Sequence, residues 1–371
     1  MTIVLSNRGG SLRAAVMKDG RLWSYAEETL THPAAEDIYL GRVDRCMPGL
    51  AACFVRIGET QVFLPYAEMR IPTPPRSGER VAVQIKRPPN GQKLAYATMD
   101  LCFAGKHSLL LPMSDTCAVS SRIENESERG RLYTRCLSLR PAGMGLILRS
   151  EALNASDSEI LEEVRTLTEQ WETLRNTAQT APVGLLRAAD GITERLLRDA
   201  KSSVDEIVTD EAPKAPWPVP FRVEADPFAL FGVEAKLAAA LKRRVWLPSG
   251  GNIVIDPCEA MTVIDVNTAC SSGSRRDPCL NAVSVNREAA GEIARVLRVR
   301  GIGGIVLIDF IDMEREEDRT SVTDALREAF RDDPVKTVLH GFTRLGLFEM
   351  TRKREEKPLS PRDTREAQKM Q

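Results

Sequence analysis

The sequence predicts an α+β protein of several domains, with a small barrel of short strands in its first part and a layered α/β domain in its last third. A chain of 371 residues is too long for one ordinary core. Short alternating segments follow one another closely after Ile38, as in an OB fold. The last third instead alternates apolar strands with amphipathic helices.

Strand and turn patterns define the first part of the chain. Residues 11–18 and 21–26 read as a hairpin around Asp19-Gly20, and Pro33 lies in the loop 31–37. The barrel strands are expected at 39–43, 51–55, 61–64 and 80–85, with a proline-rich loop at 72–75.

The middle of the chain is mixed. Short strands are expected at 109–111 and 146–148, and a long helix at 157–179 capped by Ser156 or Asp157. Its inner face would consist of Ile160, Val164, Leu167, Trp171 and Leu174. Residues 191–210 read as a helix followed by a strand at 206–208, residues 212–220 as a proline-rich connector and residues 232–244 as a helix.

The last third has the most regular pattern. We expect strands at 252–255 and 261–264 with a turn at Asp256-Pro257, then a helix at 286–300 with Ala289, Ile293 and Val296 inward. A strand buried on both faces at 304–308, a helix at 321–331 and a strand ending within 337–348 follow, and then a polar tail.

Composition narrows the class of protein. The net charge of −1 gives no overall attraction for nucleic acid, so any such contact must come from local patches. The eight cysteines form no CxxC pair, which argues against a zinc site or a disulfide scaffold and favours buried, reduced thiols. The N-terminus is too quickly polar for a signal peptide, and no apolar run could span a membrane, so we expect a cytoplasmic protein.

Acidic residues follow two of the predicted strands. Asp265 and Asn267 come after Ile264, and Asp309 comes after Ile308. Side chains at neighbouring strand ends converge, and such oxygen ligands suit Mg²⁺ or Mn²⁺ better than zinc and fit phosphoryl chemistry. The alternative is that these residues are turn formers or helix caps, and Asp312 is left as a supporting or structural residue.

Four segments carry a resemblance to a known family. They are 247–256 (LPSGGNIVID), 260–268 (AMTVIDVNT), 303–313 (GGIVLIDFIDM) and 345–352 (LGLFEMTR), and they resemble the ordered signatures of the ribonuclease E/G family. The resemblance implies that Asp265 and Asp309 ligate Mg²⁺, with Mn²⁺ as a substitute, and that Asn267 orients Asp309 or the attacking water. The implied reaction is hydrolysis of single-stranded RNA that leaves a 5′-phosphate on the downstream product. The loop 268–274 departs from the family pattern, which could alter RNA positioning.

The resemblance also implies two RNA-binding sites. In the barrel, Phe54 and Phe63 match base-stacking positions and Lys93 matches a basic contact, although Leu94 replaces the usual glycine. The alternative for each phenylalanine is a core aromatic residue.

Farther on, Gly105, Arg149 and Ser150 match a pocket for the RNA 5′-monophosphate. One arginine of the usual Arg-Arg-Ile is missing at Ser121, so we expect a weaker sensor. The alternative for Arg149 is a surface residue at a strand end.

The domain arrangement implied by the resemblance interrupts one domain with two others. An RNase H-like domain would comprise residues 1–36 and 183–241, with an OB-fold RNA-binding domain at 37–100 and the 5′-sensor region at 101–182 inserted. A DNase I-like catalytic domain would follow at 242–355, then a polar tail at 356–371. The family's Cys-Pro-x-Cys zinc link is not found in the sequence, so no zinc is expected, the family tetramer is in doubt and a homodimer stays open.

Two other functions compete with a nuclease acting in RNA processing or decay. One is a catalytically inactive RNA-binding protein with a degenerate nuclease domain, which the retained Asp265, Asn267 and Asp309 disfavour. The other is a metal-dependent DNA nuclease or phosphatase, which the expected OB domain and 5′-phosphate pocket disfavour.

Overall fold

The chain folds into two compact units, each with its own sheets and cores. The computed structural model describes residues 1–7, 11–28, 33–71, 73–89, 93–123, 125–200, 204–213, 217–268, 282–354 and 358–360. Residues 29–199 form one unit, here called the barrel unit, and residues 1–28 and 200–371 form the other, the discontinuous unit. Within the described segments, every helix is too short or too polar to cross a bilayer.

Elements are numbered along the chain. The N-terminal strands are β1 (Thr2–Ser6), β2 (Leu12–Lys18) and β3 (Arg21–Glu28). The barrel unit contains β4 (Ile38–Met47), β5 (Ala52–Arg56), β6 (Gln61–Pro65), β7 (Arg80–Arg87), β8 (Ala95–Thr98), β9 (Phe103–Ala104), β10 (Ser108–Leu111), β11 (Cys117–Val119), α1 (Glu126–Leu139), β12 (Gly145–Leu148), α2 (Asp157–Thr180), β13 (Gly184–Arg187) and α3 (Ile192–Asp199). The C-terminal part contains β14 (Glu206–Thr209), β15 (Phe221–Val223), α4 (Pro227–Leu230), α5 (Val233–Leu241), β16 (Arg244–Trp246), β17 (Asn252–Pro257), β18 (Met261–Asn267), α6 (Ala282–Val299), β19 (Gly304–Asp309), α7 (Glu316–Phe330), β20 (Thr337–Phe342) and β21 (Phe348–Arg352).

The first sheet of the discontinuous unit has the order β15-β14-β1-β2-β3. The predicted hairpin joins β2 and β3, and Asp19 and Gly20 have φ of 51° and 72°, as a tight primed turn requires. Strand β14 pairs with β1 in parallel although more than 200 residues separate them, as in the pair Val4 and Val208. Val4 and Leu22 pack against Phe228 and Leu237 in the core beneath this sheet.

The second sheet of this unit has the order β16-β17-β18-β19-β21-β20. One face packs against α6 and α7, where Ile253, Ile264 and Ile308 meet Ile293 and Leu326. No described helix packs on the opposite face, where Trp246 and Ile305 are exposed, and we call it the open face. The expectation that 304–308 is buried on both faces is wrong, because Ile305 is 46% exposed on the open face.

Several boundaries in the second sheet differ from expectation. Strand β17 includes Asp256-Pro257, so the turn lies after these residues, and β18 runs on through Asn267. Helix α7 begins at Glu316 rather than Ser321, and 337–352 forms the hairpin β20–β21. Strand β16 lies within and beyond the end of the expected helix 232–244. For the strands, pairing across the sheet extends the elements beyond the ends that local patterns predict.

The predicted small barrel is present in the barrel unit. Strands β4, β5, β6, β8 and β7 pair in that order, and β4 also pairs with β7, which closes an OB-like barrel of five strands. The expected segments at 39–43, 51–55, 61–64 and 80–85 lie within or overlap these strands. The interior is filled by alternate apolar residues such as Val43, Val55 and Leu64. Strand β13 adds to this sheet beside β4.

A second, four-stranded sheet of the barrel unit has the order β11-β12-β10-β9. Helix α2 begins at a capping box between Ser156 and Glu159, and its buried residues are the five expected from the sequence. Helix α1 was not predicted, because it buries only Leu132 and Cys136 and shows little periodicity.

The cysteines differ from expectation at one place. Cys46 on β4 and Cys53 on β5 are cross-strand partners and form a disulfide, whereas the sequence favoured reduced thiols. The β4–β5 hairpin places residues seven apart in the sequence directly opposite each other, with Cα atoms 3.9 Å apart. In the described part of the chain, Cys102, Cys117, Cys136 and Cys258 are free thiols.

Candidate active site

Two carboxylates lie side by side on the open face of the second sheet. Asp265 on β18 and Asp309 on β19 are register partners in a parallel pair, and both side chains are exposed. Neighbouring strands lie about 5 Å apart, so the two carboxylates are close neighbours. The sequence placed them beyond the strand ends, but the structure has both within strands, on the face of the sheet.

This arrangement opposes the stability of the sheet. Like charges directly opposite each other on neighbouring strands repel and are destabilising. Elsewhere on the same face a carboxylate has a cationic partner, since Arg243 Nε donates to Asp256 Oδ1 at 2.5 Å. The Asp265–Asp309 pair therefore has the electrostatic character of a cation site.

Asn267 lies on the same face as the pair, two residues along β18. Its Nδ2 donates a hydrogen bond to Asp265 Oδ2 at 2.7 Å. The expected role of Asn267 toward Asp309 or the attacking water stays a prediction, and the side-chain contact observed here is with Asp265. The reason is geometric, since alternate residues of one strand share a face.

The segment after Asp309 is fixed by a buried asparagine. Asn286 on α6 is fully buried, its Nδ2 donates to the Ile311 carbonyl at 2.8 Å, and its Oδ1 accepts from the Ile311 amide at 3.0 Å. The sequence indicated no such role for Asn286. Asp312 is exposed and does not cap α7, whose N-cap residue is Arg315.

The donor set fits a hard divalent cation. Asp265 and Asp309 supply carboxylate oxygens, and the described residues contain no group of three or more His, Cys, Asp or Glu side chains that could enclose a metal. Mg²⁺ characteristically takes one or two carboxylates and fills its other positions with water and phosphate oxygens. A pair of exposed carboxylates matches that pattern and not a closed zinc site.

The two predicted stacking residues lie outside the barrel core. Phe54 on β5 and Phe63 on β6 are cross-strand partners, with ring centroids 5.9 Å apart and both side chains partly exposed. The barrel interior is built from the alternate residues, such as Cys53 and Val55, so the core reading of these phenylalanines is wrong.

A third ring extends this row across the barrel. Tyr96 on β8 pairs with Phe63, and their centroids are 6.2 Å apart. The guanidinium of Arg45 lies 5.0 Å from the Phe54 centroid, and that of Arg87 lies 4.2 Å from Tyr96. The sequence did not predict a role for Tyr96, Arg45 or Arg87. The alternation of Tyr96 with the small residues Ala95 and Ala97 does indicate an aromatic side chain on the outer face of the barrel. Lys93 is exposed three residues before Tyr96.

The three residues of the expected phosphate pocket are brought together. Arg149 Nη1 donates to the Gly105 carbonyl at 2.6 Å, and Ser150 follows Arg149. Internal carboxylates already engage both side chains. Arg149 Nη2 donates to Asp199 Oδ1 at 2.8 Å, and Ser150 Oγ donates to the Glu151 carboxylate at 3.2 Å.

A carboxylate from α2 binds the backbone of the loop after Gly105. Glu163 on α2 accepts hydrogen bonds from the amides of Lys106 at 2.8 Å and His107 at 3.0 Å, and from Ser108 Oγ at 2.6 Å. A Cβ on Gly105 would come within 2.3 Å of this side chain, so a larger residue there would require the Glu163 side chain to move. Successive amides of this kind form an anion-binding nest, here filled by the protein's own carboxylate.

Of the loop 268–274, which departs from the family pattern, the structure describes the first residue. Thr268 is exposed, and the remaining residues of 268–274 lie outside the described residues.

Comparison with known proteins relates this chain to ribonucleases E and G. The profile of the Ribonuclease E/G family matches residues 102–216 and 219–355. A ribonuclease E of Nostoc sp. (strain PCC 7120) is 35% identical over 376 residues, which cover 92% of this chain and 54% of that protein. A ribonuclease G of Escherichia coli (strain K12) is 34% identical over 356 residues, covering 86% of this chain and 72% of that protein.

The extent of these matches differs between the two kinds of relative. The chain spans about half the length of the ribonuclease E proteins it matches, 54% for Nostoc and 52% for Synechocystis. The family profile covers β9 to β21, including β18 and β19 with the carboxylate pair, whereas β1 to β8 lie before its first matched residue. On this evidence, the chain belongs to the ribonuclease E/G family.

Proposed function

We propose that this chain is a Mg²⁺-dependent endoribonuclease that hydrolyses internal phosphodiesters of single-stranded RNA. The observation that carries the proposal is the exposed pair Asp265–Asp309, a repulsive arrangement that a divalent cation would relieve. Family membership supports the choice of RNA as the substrate and a role in RNA processing or decay.

The residues of the open face then have distinct tasks. Asp265 and Asp309 would hold Mg²⁺, and Mn²⁺ could replace it. When bound, the ion supplies positive charge to the phosphate and lowers the pKa of a water. Asn267 holds Asp265 in one orientation through its 2.7 Å hydrogen bond, and Asn286 fixes the backbone after Asp309. In-line attack by water would leave the 5′-phosphate on the downstream product.

The aromatic row of the barrel is proposed as the RNA-binding surface. Phe54, Phe63 and Tyr96 present faces on which unpaired bases can stack. Arg45, Arg87 and Lys93 would contact the phosphates. These local cations provide for RNA binding in a chain whose net charge is −1.

A 5′-monophosphate would bind at Gly105, Arg149 and Ser150. We expect phosphate binding at this site to be weak, because an incoming phosphate must compete with three carboxylates already in place, those of Asp199, Glu151 and Glu163. We therefore expect modest stimulation by a 5′-monophosphate.

The domain division implied by the resemblance remains part of this proposal. The sheet β15-β14-β1-β2-β3 would belong to an RNase H-like domain, and the sheet bearing the carboxylates to a DNase I-like domain. The barrel unit would comprise the OB-fold domain and the 5′-sensor region, together with residues 29–36 and 183–199, which the resemblance assigns to the RNase H-like domain.

Cleavage of defined RNAs tests the proposed reaction. The purified chain would be incubated with Mg²⁺ and a fluorescent A/U-rich RNA carrying a 5′-monophosphate or a 5′-hydroxyl, beside Asp265→Asn. We expect internal cleavage that requires Mg²⁺ or Mn²⁺, is lost in the variant and is somewhat faster with the monophosphate.

Two outcomes separate the alternatives. RNA binding without cleavage at any Mg²⁺ or Mn²⁺ concentration would support the inactive RNA-binding protein instead. Equal cleavage by wild type and Asp265→Asn would place the active site elsewhere. Asp256→Asn serves as the matched control, because Asp256 is an exposed strand carboxylate already paired with Arg243.

A further inference from the structure

A large aromatic side chain lies uncovered on the open face. Trp246 on β16 is 63% exposed, an unusual state for the bulkiest apolar side chain. It pairs with Asn252, which in turn pairs with Asn267. Because paired residues share a face, Trp246 lies in the same row as Asn267, about 10 Å away across two strand spacings.

The middle residue of this row has an unused acceptor. Asn252 is only 7% exposed, and its Oδ1 has no hydrogen-bond partner among the described residues. A buried carbonyl oxygen without a donor costs free energy, and its presence calls for an explanation. Its position between Trp246 and Asn267 suits a ligand that brings an N–H group to the row.

Positive charge accompanies the ring. Arg244 is exposed one row away, in register with Val254 and, through it, with Asp265. Its guanidinium lies 5.9 Å from the Trp246 centroid. The row of Asn267 thus provides an aromatic face and an acceptor, and the adjacent row of Asp265 provides a cation, the three features that bind a nucleotide of a single strand.

We propose that Trp246 and Asn252 form a nucleobase subsite on the open face, taking one unpaired base beside the cleaved phosphodiester while Arg244 contacts a phosphate. The proposal rests on the endoribonuclease function. Trp246 provides a stacking face, and Asn252 Oδ1 accepts from an amino or ring N–H group of the base. The subsite would position the nucleotide next to the bond that reacts.

The test pairs a protein variant with a substrate that lacks one base. Single-turnover cleavage would be measured for wild type, Trp246→Ala and Trp246→Phe, on RNA that is intact or carries one abasic nucleotide at successive positions around the cleavage site. We expect one position at which the abasic change slows wild type about tenfold. Trp246→Ala should be slowed similarly on intact RNA and little further by the abasic nucleotide, and Trp246→Phe should retain most activity.

Ile305→Ala is the matched control, because Ile305 is an exposed apolar residue on the same face but offers no ring. Equal abasic penalties in wild type and Trp246→Ala would overturn the subsite. So would a change of sedimentation coefficient in Trp246→Ala with an unchanged abasic penalty, since Trp246 would then contact a protein partner.

A binding measurement separates this proposal from the proposed reaction. In an Asp309→Asn background, RNA with 2-aminopurine at the sensitive position should be quenched by Trp246 and not by Trp246→Phe. If the cleavage assay identifies no sensitive position, 2-aminopurine is placed at each nucleotide in turn. Quenching without any wild-type cleavage would keep the subsite and refute the nuclease, whereas cleavage without quenching at any position would refute the subsite alone.

Discussion

At the scale of single residues, the proposed chemistry depends on two acids whose like charges oppose the pairing of their strands. Asp265 and Asp309 face each other across β18 and β19, and among the described residues neither has a guanidinium partner of the kind that Arg243 provides for Asp256. Retaining such a pair on an exposed face makes sense when a cation is to be bound there.

This view predicts a trade-off between stability and activity. In EDTA, Asp309→Asn should raise the melting temperature by about 1–3 °C, because the variant removes the repulsion between the carboxylates. Added Mg²⁺ should stabilise wild type and not the variant, since only wild type binds the ion tightly. Differential scanning fluorimetry measures both effects, and a variant that melts lower than wild type in EDTA would contradict the argument.

Thiol reactivity provides a separate prediction. Burial raises the pKa of the Cys102 thiol to about 11, and burial together with Cys117 raises the pKa of Cys136 to about 12. Both remain protonated at pH 8 and gain reactivity only as the pH approaches those values. Peptide mapping after iodoacetamide should show Cys258, which is exposed, labelled well before Cys102 and Cys136. Early labelling of Cys102 would indicate that its surroundings open readily.

The sequence predicted the candidate site residues but not their contacts. Asp265, Asn267 and Asp309 stood out because they follow apolar strands in ordered motifs. The partner of Asn267 and the function of Asn286 depend on side-chain direction and on packing between elements that lie far apart in the sequence. Local patterns contain no information on those contacts, so neither could be predicted.

At the scale of elements, the Asn286 side chain on α6 makes two hydrogen bonds to the segment after β19. Asn286→Ala removes two hydrogen bonds to Ile311 and leaves partly buried backbone groups without these partners. We expect a loss of about 1–3 kcal/mol in the free energy of unfolding and a lower kcat with a nearly unchanged KM. Denaturant titration and cleavage kinetics measure these quantities.

Arg287→Ala is the control for this prediction, because Arg287 is the exposed neighbour of Asn286 on the same helix. If Asn286→Ala lost stability without any change in kcat, Asn286 would stabilise the fold without positioning Asp309.

The loop after β9 offers a second prediction at this scale. Glu163 occupies the amides of Lys106 and His107 with a negative charge. Glu163→Gln keeps the size of the side chain and weakens this hold, so the preference for 5′-monophosphorylated over 5′-hydroxyl RNA should rise several-fold. Arg149→Ala should remove the preference. A fall in preference for Glu163→Gln would show that Glu163 organises the pocket instead of competing in it.

At the scale of the whole molecule, local patterns predicted the elements more reliably than their connections. The barrel strands and the inner face of α2 could be recognised because their alternation and helical periodicity are strong. The parallel pairing of β14 with β1 and the addition of β13 to the barrel join segments that are distant in sequence. Pairing of this kind depends on long-range packing, which no local pattern specifies.

The same limit explains the open face. A strand such as 304–308 reads as buried on both sides, because its sequence is apolar throughout. Only the finding that α6 and α7 cover one side shows that Ile305 and Trp246 are uncovered. The surface that carries the proposed chemistry therefore emerged from the structure.

The proposal that Asp309 binds the divalent cation can be tested directly by changing the ligand type at this position. Asp309→Cys exchanges a hard carboxylate for a softer thiolate at the same position. We predict that this variant cleaves RNA poorly with Mg²⁺ and recovers activity with Mn²⁺ or Cd²⁺, whereas wild type prefers Mg²⁺. A folded variant that stays inactive with every metal, or that works equally well with Mg²⁺, would contradict the claim.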